Sequence, residues 1–337
     1  MFKTSKILLL FFHLSAFLFF SFKVTAQNEK INFSKIDSYA KSIKGINDIG
    51  KLSKKLTAPF KTDLEKTRSI FRWITENIAY DTKEYHVTPD QSSYTKLFNT
   101  IDINKKNIYE LYDEKIATYV LKNKKGICAG YAALFKALCD SSKIKAEIVN
   151  GKAKNSTSQI GTAFKENHAW NAVYLDDKWQ LVDVTWASGS CNDSVTMFIK
   201  KYDDSYFLTP PNKLILNHYP TDAKWFLMKN VPSEVQFYSY PLIFNGYFQN
   251  DISSFYPING VIEGKTGSKI SFEIRSPASD FDVSVGTKTG SNEVKIKKQE
   301  KITTYEYTVT SDKEDVLTIY LNHEAIFDYR IIAIPPN

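Results

Sequence analysis

The sequence predicts an α+β fold followed by an all-β tail, and three observations carry that expectation. Apolar residues recur at helical steps through the first half of the chain. Two alternating runs then meet across Asp176-Asp177, as antiparallel strands do. Beyond residue 230, short aromatic and β-branched runs follow one another between turn residues, the pattern of a β-sandwich of immunoglobulin-like size. At 337 residues the chain is long enough for two such units.

Residues 1–26 stand apart. Lys3 and Lys6 precede a nearly apolar run from Ile7 to Phe22, and Val24-Thr25-Ala26 ends on a small residue. This is the pattern of a signal peptide cut near Ala26, so the chain is expected to be exported, to a periplasm or outside the cell. Gln27 follows the cut, so the cysteine of a bacterial lipid anchor is not expected. The apolar run is short against the roughly 20 residues of a membrane span, and no later segment reads as one, so no stable span is expected after cleavage.

Residues 27–229 are expected to form the first domain. Its early part is helical. Thr62-Asp63-Leu64-Glu65 reads as a capping box, and Leu64, Thr67, Phe71, Ile74 and Ile78 then mark one helix face, with Trp73 beside it. Residues 81–111 read as a long loop with one short helix. A helix from Asp113 to Asn123 leads to Gly126-Ile127-Cys128-Ala129-Gly130, and Tyr131, Leu134, Phe135 and Leu138 form the stripe of the next one. Ile144 to Lys152 alternates as a strand, Asn155 to Lys165 reads as a polar loop, and His168–Leu175 and Lys178–Trp186 read as a hairpin.

Residues 230–337 read as the second, all-β domain, with no helix. The expected strands are Val235–Tyr240, Val261-Ile262, Ile270–Ile274, Phe281–Val285, Glu293–Lys298, Thr303–Thr310, Val316–Leu321 and Tyr329–Ile334.

Charge and cysteine usage exclude several functions. The chain has 44 basic and 37 acidic residues; three of the lysines lie in 1–26, leaving 41 against 37, or +4. No dense basic block interleaved with aromatics is present, so nucleic-acid binding is not expected. The three cysteines, Cys128, Cys139 and Cys191, are an odd count that argues against a disulfide scaffold in an exported chain. Their spacings fit no zinc pattern, and no acidic loop suits calcium. No metal and no cofactor is expected.

The chemistry is expected at Cys128, His168 and Asp183. With Asp176-Asp177 as a two-residue turn, Leu175 faces Lys178, Trp170 faces Asp183 and His168 faces Thr185. His168 and Asp183 then share a sheet face as diagonal neighbours. A carboxylate so placed fixes the tautomer of the imidazole and stabilises its charge. A thiol at a helix start near that ring is acidified, which is the arrangement for nucleophilic acyl transfer. The Cys128 N–H is one oxyanion donor; Trp73 is a candidate side-chain donor, and Trp170 a candidate cleft wall. The bland alternatives are a buried structural thiol, a satisfied strand histidine and a carboxylate that merely caps a turn. His218 reads as structural rather than catalytic.

Taken together, Gly126-Ile127-Cys128-Ala129-Gly130-Tyr131-Ala132, His168-Ala169-Trp170-Asn171 and Trp179-x-x-Val182-Asp183-Val184-Thr185-Trp186 resemble the transglutaminase-like superfamily. Phe71-x-Trp73-Ile74-x-x-Asn77-Ile78-x-Tyr80-Asp81 resembles the helix that precedes its core. Tyr206-Phe207-Leu208-Thr209-Pro210-Pro211, His218-Tyr219-Pro220 and Trp225 are similar to the stretch after the core in the kyphoscoliosis-peptidase-like branch. The resemblance implies a papain-like fold with Cys128, His168 and Asp183 as catalytic triad, followed by a β-sandwich. It does not fix the reaction; with no dry acceptor site for an amine visible in the sequence, a cysteine peptidase or amidase acting on a protein or peptide, cell-wall peptide included, is expected. The alternatives are a protein-glutamine cross-linking transglutaminase, or a non-enzymatic surface scaffold that retains the fold.

Overall fold

The computed structural model describes residues 32–277, 282–287, 290–292, 295–299, 301–310, 313 and 315–334. The expected signal peptide lies outside them. Among the described residues no helix is long and apolar enough to cross a membrane.

The chain opens with helices α1 (Ser34–Ser42), α2 (Ile49–Thr57) and α3 (Asp63–Asn77). Both halves of the capping box at α3 form: the Thr62 hydroxyl accepts the Glu65 N–H, and Glu65 accepts the Thr62 N–H. Thr67, Phe71 and Ile74 on its predicted face are fully buried. Strand β1 (Ala79–Tyr80) is followed by two short helices, α4 (Thr82–His86) and α5 (Ser93–Phe98), where the sequence suggested one. Helix α6 (Ile108–Asn123) starts earlier than expected. Strand β2 (Lys125–Gly126) pairs in parallel with β1 and delivers the chain into α7 (Cys128–Ser141).

A four-stranded antiparallel sheet covers α7. Its strands are β3 (Ala146–Ala153), β4 (His168–Leu175), β5 (Lys178–Val182) and, after an excursion, β8 (His218–Pro220), in the order β5-β4-β3-β8. The hairpin register is the expected one: Leu175 faces Lys178 and Asn171 faces Val182. Asp176 and Asp177 both take positive φ, which matches the twist of paired strands. The second strand is shorter than predicted. It stops at Val182, and Val184–Ser188 is helix α8, because the Asp183 carboxylate caps it by accepting the Thr185 and Trp186 N–H groups. The excursion before β8 holds a hairpin, β6 (Gly189–Cys191) with β7 (Phe198–Lys200), and a helical turn, α9 (Pro211–Leu214).

Beyond residue 230 the expectation of an all-β region without helices is corrected at two places. Val235–Tyr240 is not a strand; Glu234–Ser239 is helix α10, started by a Ser233–Gln236 capping box that outweighs the β propensity of its aromatics. A second helix, α11 (Asn245–Gln249), follows strand β9 (Leu242–Ile243). The remaining strands are β10 (Ser254–Tyr256), β11 (Val261–Gly264), β12 (Lys269–Arg275), β13 (Val283–Thr287), β14 (Gly290–Asn292), β15 (Lys295–Gln299), β16 (Ile302–Thr308), β17 (Asp315–Leu321) and β18 (Glu324–Ala333). They form two largely antiparallel sheets, β10-β12-β16-β15 and β11-β18-β17-β13-β14, with β9 on β18 and a parallel β11–β18 pair. Phe272 of the first sheet meets Tyr329 of the second edge to face, 5.0 Å between ring centres.

Lys154, just past β3, is fully buried, and its ammonium donates to the carbonyls of Phe237 at 2.8 Å, Tyr238 at 3.1 Å and Tyr240 at 2.5 Å. Burial pushes this amine down to about 7, and its three carbonyl contacts tie the β5-β4-β3-β8 sheet to the chain leading into the β region.

Candidate active site

Cys128 is the first residue of α7. Helix starts leave N–H groups without helical partners, and among the described residues no acceptor takes the Cys128 N–H. The neighbouring glycines are needed for space. Neither Gly126 nor Gly130 has positive φ. A Cβ on Gly126 would meet Val120 at 2.8 Å and the Tyr94 hydroxyl at 2.9 Å; on Gly130 it would meet the same hydroxyl at 2.1 Å. That hydroxyl accepts the Ile127 N–H at 3.3 Å. Helix α5, in a stretch read mostly as loop, therefore braces the residue before the thiol.

His168 begins β4 and Asp183 ends β5, so the hairpin brings them together: His168 Nε2 donates to Asp183 Oδ2 at 2.7 Å. This leaves Nδ1 for the sulfur. Burial opposes ionisation of Cys128, but the hydrogen bond and charge of His168 and the backbone N–H groups of Ala169 and Ala129 hold the thiol below its ordinary value. Burial likewise opposes charge on His168, yet the Asp183 carboxylate, with the Cys128 sulfur, raises it to about 10. Burial would raise Asp183; the charge and hydrogen bond of His168 and the hydrogen bond of His218 hold it well below the usual carboxylate range. Each shift favours the charged form of its group: thiolate, imidazolium and carboxylate.

The other two cysteines lack this environment. Cys139 is fully buried in the core and Cys191 half-buried, and burial pushes both thiols up. All three are free thiols.

The expected roles of two tryptophans are corrected. The Trp73 indole N–H donates to the Ile43 carbonyl at 2.8 Å in the buried core, so it is no oxyanion donor. Trp170 is 2% exposed and stacks behind His168, ring centres 6.0 Å apart, so it backs the base instead of walling an open cleft.

Two other residues belong to the site. Tyr80 lies across from Gly126 in the β1–β2 pair. Burial first, then Cys128 and Cys191, push its phenol up, so it stays protonated. His218 also donates to Asp183 Oδ2, at 3.0 Å. The ligand atoms of His168, Asp183 and His218 all lie within 4.8 Å of one another, close enough to hold a metal ion; both imidazole contacts to the carboxylate are made at hydrogen-bond lengths. The clue for Tyr80 was its place in the helix-preceding motif. For His218 it was the His-Tyr-Pro run; its partner could not be read locally.

Residues 87–184 match the model of the transglutaminase-like superfamily. This chain carries a transglutaminase-like core. Kyphoscoliosis peptidase of Homo sapiens is 31% identical over 237 residues, 70% of this chain and 32% of that protein. That similarity supports the kyphoscoliosis-peptidase-like branch. Hillarin of Drosophila melanogaster is 26% identical over 248 residues, covering 67% of this chain and 27% of its own. The chain thus spans about a third or less of the length of these relatives. Among solved structures, a candidate cysteine protease from Cytophaga hutchinsonii shares 20% identity, covers 46% of this chain and 43% of its own, and superposes with a TM-score of 0.28, too low to bear on the fold. The transglutaminase-like core rests on the matched residues and on the helix-plus-sheet arrangement around Cys128.

Proposed function

We propose that the chain is a thiol-dependent acyl-transfer enzyme that hydrolyses peptide or side-chain amide bonds through Cys128, His168 and Asp183. One observation carries the reading: a helix-start thiol is held below its ordinary value by a histidine whose Nε2 is 2.7 Å from a buried carboxylate. The sulfur attacks the amide carbon and the carbonyl oxygen takes the negative charge. The Cys128 N–H and the Tyr80 hydroxyl are the donors we assign to that oxygen. The imidazolium of His168 gives its proton to the leaving nitrogen, the C–N bond breaks, and a thioester remains. Water then gives a proton to His168 and attacks the thioester; the C–S bond breaks, releasing a carboxylic acid and restoring the thiolate.

The peptidase in the name of a relative favours hydrolysis over transfer to an amine. A protein or peptide is the substrate class. The leader-like composition of residues 1–26 supports export; a mature chain starting at Gln27 would bear that out, and an intact N-terminus would count against it.

The test is alkylation near pH 6 with iodoacetamide, followed by profiling on a peptide library with and without a primary amine. Cys128 should outpace Cys191, and His168→Ala should slow it. Cleavage, deamidation and amine transfer each leave a distinct mass change, absent in Cys128→Ala. Equal reactivity of wild type and His168→Ala sinks the proposal.

A further inference from the structure

Asp183 is fully buried and each of its oxygens accepts two N–H donors. Oδ1 takes Thr185 at 2.8 Å and Trp186 at 2.9 Å; Oδ2 takes His168 at 2.7 Å and His218 at 3.0 Å. The lone pairs are therefore all used, and the carboxylate plane is fixed. Three of those donors come from the core hairpin and the helix it feeds. The fourth comes from β8, where His218 lies across from Ala153 of β3.

His218 is itself held on every side. It is 1% exposed and packs against Trp186, Trp170 and His168, with ring centres at 4.5, 5.1 and 5.3 Å, and Tyr206 at 6.3 Å. The charged or titratable groups that face it are Asp183, His168 and the phenol of Tyr206. Its Nδ1 lies 2.6 Å from the Asn217 carboxamide oxygen, while the Asn217 nitrogen, buried, has no partner. A half-turn of the amide makes Asn217 the donor to Nδ1 and sets its oxygen where the nitrogen stood. Nε2 then carries the only ring proton. Burial acts in the same direction, pushing His218 down to about 4 against the pull of Asp183. Two adjacent imidazolium ions sharing one carboxylate in a buried box would repel.

We infer, resting on the thiol-enzyme reading, that His218 is a positioning residue: a neutral ring whose Nε2–H fixes the Asp183 carboxylate so that His168 alone carries charge toward Cys128. A charged donor in that place would compete with His168 for the carboxylate and weaken the thiolate pair. A missing donor would leave Oδ2 with His168 alone and the carboxylate less firmly held.

The test uses the full chain with His218→Leu, which removes the donor, and His218→Gln, whose amide retains one. Iodoacetamide alkylation of Cys128 is followed from about pH 5 to about pH 9. His218→Leu should lose roughly 10- to 100-fold in rate at the acid end, the worth of one hydrogen bond to a charged group, with the thiolate plateau retreating to higher pH. His218→Gln should recover most of it. Long-range proton–nitrogen NMR of the wild type should show His218 as a neutral Nε2–H ring across that range, a readout that does not depend on either variant folding. An imidazolium at neutral pH, or a His218→Leu profile that overlays the wild type, overturns the inference while leaving the thiol-enzyme reading intact. A wild-type Cys128 no faster than a free thiol overturns both.

Discussion

Gly130 is the third residue of α7, where glycine is a poor helix former, about 1 kcal/mol worse than alanine. The structure says why it is there. A Cβ at Gly130 would lie 2.1 Å from the Tyr94 hydroxyl and 2.7 Å from Val120 Cγ2. Both neighbours are immobile: Tyr94 is 5% exposed and Val120 is fully buried on α6. Overpacking of this kind costs about 1–3 kcal/mol, and two contacts this short put Gly130→Ala at the upper end. Subtracting about 1 kcal/mol of helix propensity leaves a net loss of about 2 kcal/mol.

The loss should be visible in two assays. Urea unfolding should show the destabilisation. Alkylation of Cys128 should slow by at least roughly tenfold, because displacing a reacting group by about 1 Å costs up to 10²-fold. Adding Tyr94→Phe removes the atom at 2.1 Å, so the pair should be less damaging than the sum of the single changes. Gly50→Ala is the control: its Cβ would meet nothing closer than 3.5 Å, and it should be neutral or stabilising by up to about 1 kcal/mol. A Gly130→Ala chain with wild-type stability and reactivity, or additive effects with Tyr94→Phe, would refute the claim that Tyr94 and Val120 dictate this glycine.

Three further outcomes follow from the site and its supports. Against its burial, His168 is raised to about 10, chiefly by Asp183, so its contribution is complete below the unfolded-state value near 6.5 and is lost as pH climbs toward about 10; the lowered Cys128 thiol acts in the opposite sense, so the test is made with Cys128→Ala, which should lose stability over that window in urea titrations, while Cys128→Ala with His168→Gln should lose less, whereas parallel curves would contradict the His168–Asp183 pair. Tyr80→Phe should lower kcat by roughly 10²-fold with a smaller change in KM if its hydroxyl serves the oxyanion, and an unchanged kcat removes it from that role. Lys154→Met leaves three backbone carbonyls without their ammonium donor and should destabilise by about 3 kcal/mol; a neutral result in urea unfolding would show that the clamp contributes nothing.

Much of the site was legible because it is local. The thiol sits at a helix start that periodicity alone locates, and the Asp176-Asp177 turn fixes a register in which His168 and Asp183 share a face. What escaped depends on distant partners or on competing local signals. His218 reaches Asp183 only through the β3–β8 pairing, which no nearby pattern announces. Lys154 looks like any exposed lysine until the end of α10 closes over it. The aromatics of Val235–Tyr240 suggested a strand, yet the Ser233–Gln236 box that starts a helix was equally present. Asp183 was read as mid-strand, although a carboxylate whose next N–H groups need acceptors is also a helix cap.

An intact triad does not by itself argue for catalysis here, because Asp183 also holds the fold. Asp183 is buried under four N–H donors and starts α8, so Asp183→Asn must turn an NH₂ group toward one pair of them. It should destabilise by about 3–5 kcal/mol as a broken buried charge network, and a chain with no enzymatic role would still keep it. If its NH₂ turns to His168, it also makes Nε2 an acceptor and drives the proton to Nδ1, the nitrogen that must face the sulfur as a base. Cys128 is different. It is half-buried at a helix start, pairs with no other cysteine and fills no core position. Cys128→Ala exchanges it for a better helix former and should leave stability within about 1 kcal/mol of wild type, or raise it, as residues kept for function commonly allow. Urea unfolding of the two variants side by side decides the matter. Should Cys128→Ala cost as much as Asp183→Asn, the thiol is a packing residue and its acidity a by-product of place; should it cost nothing, only chemistry explains why a cysteine stands there.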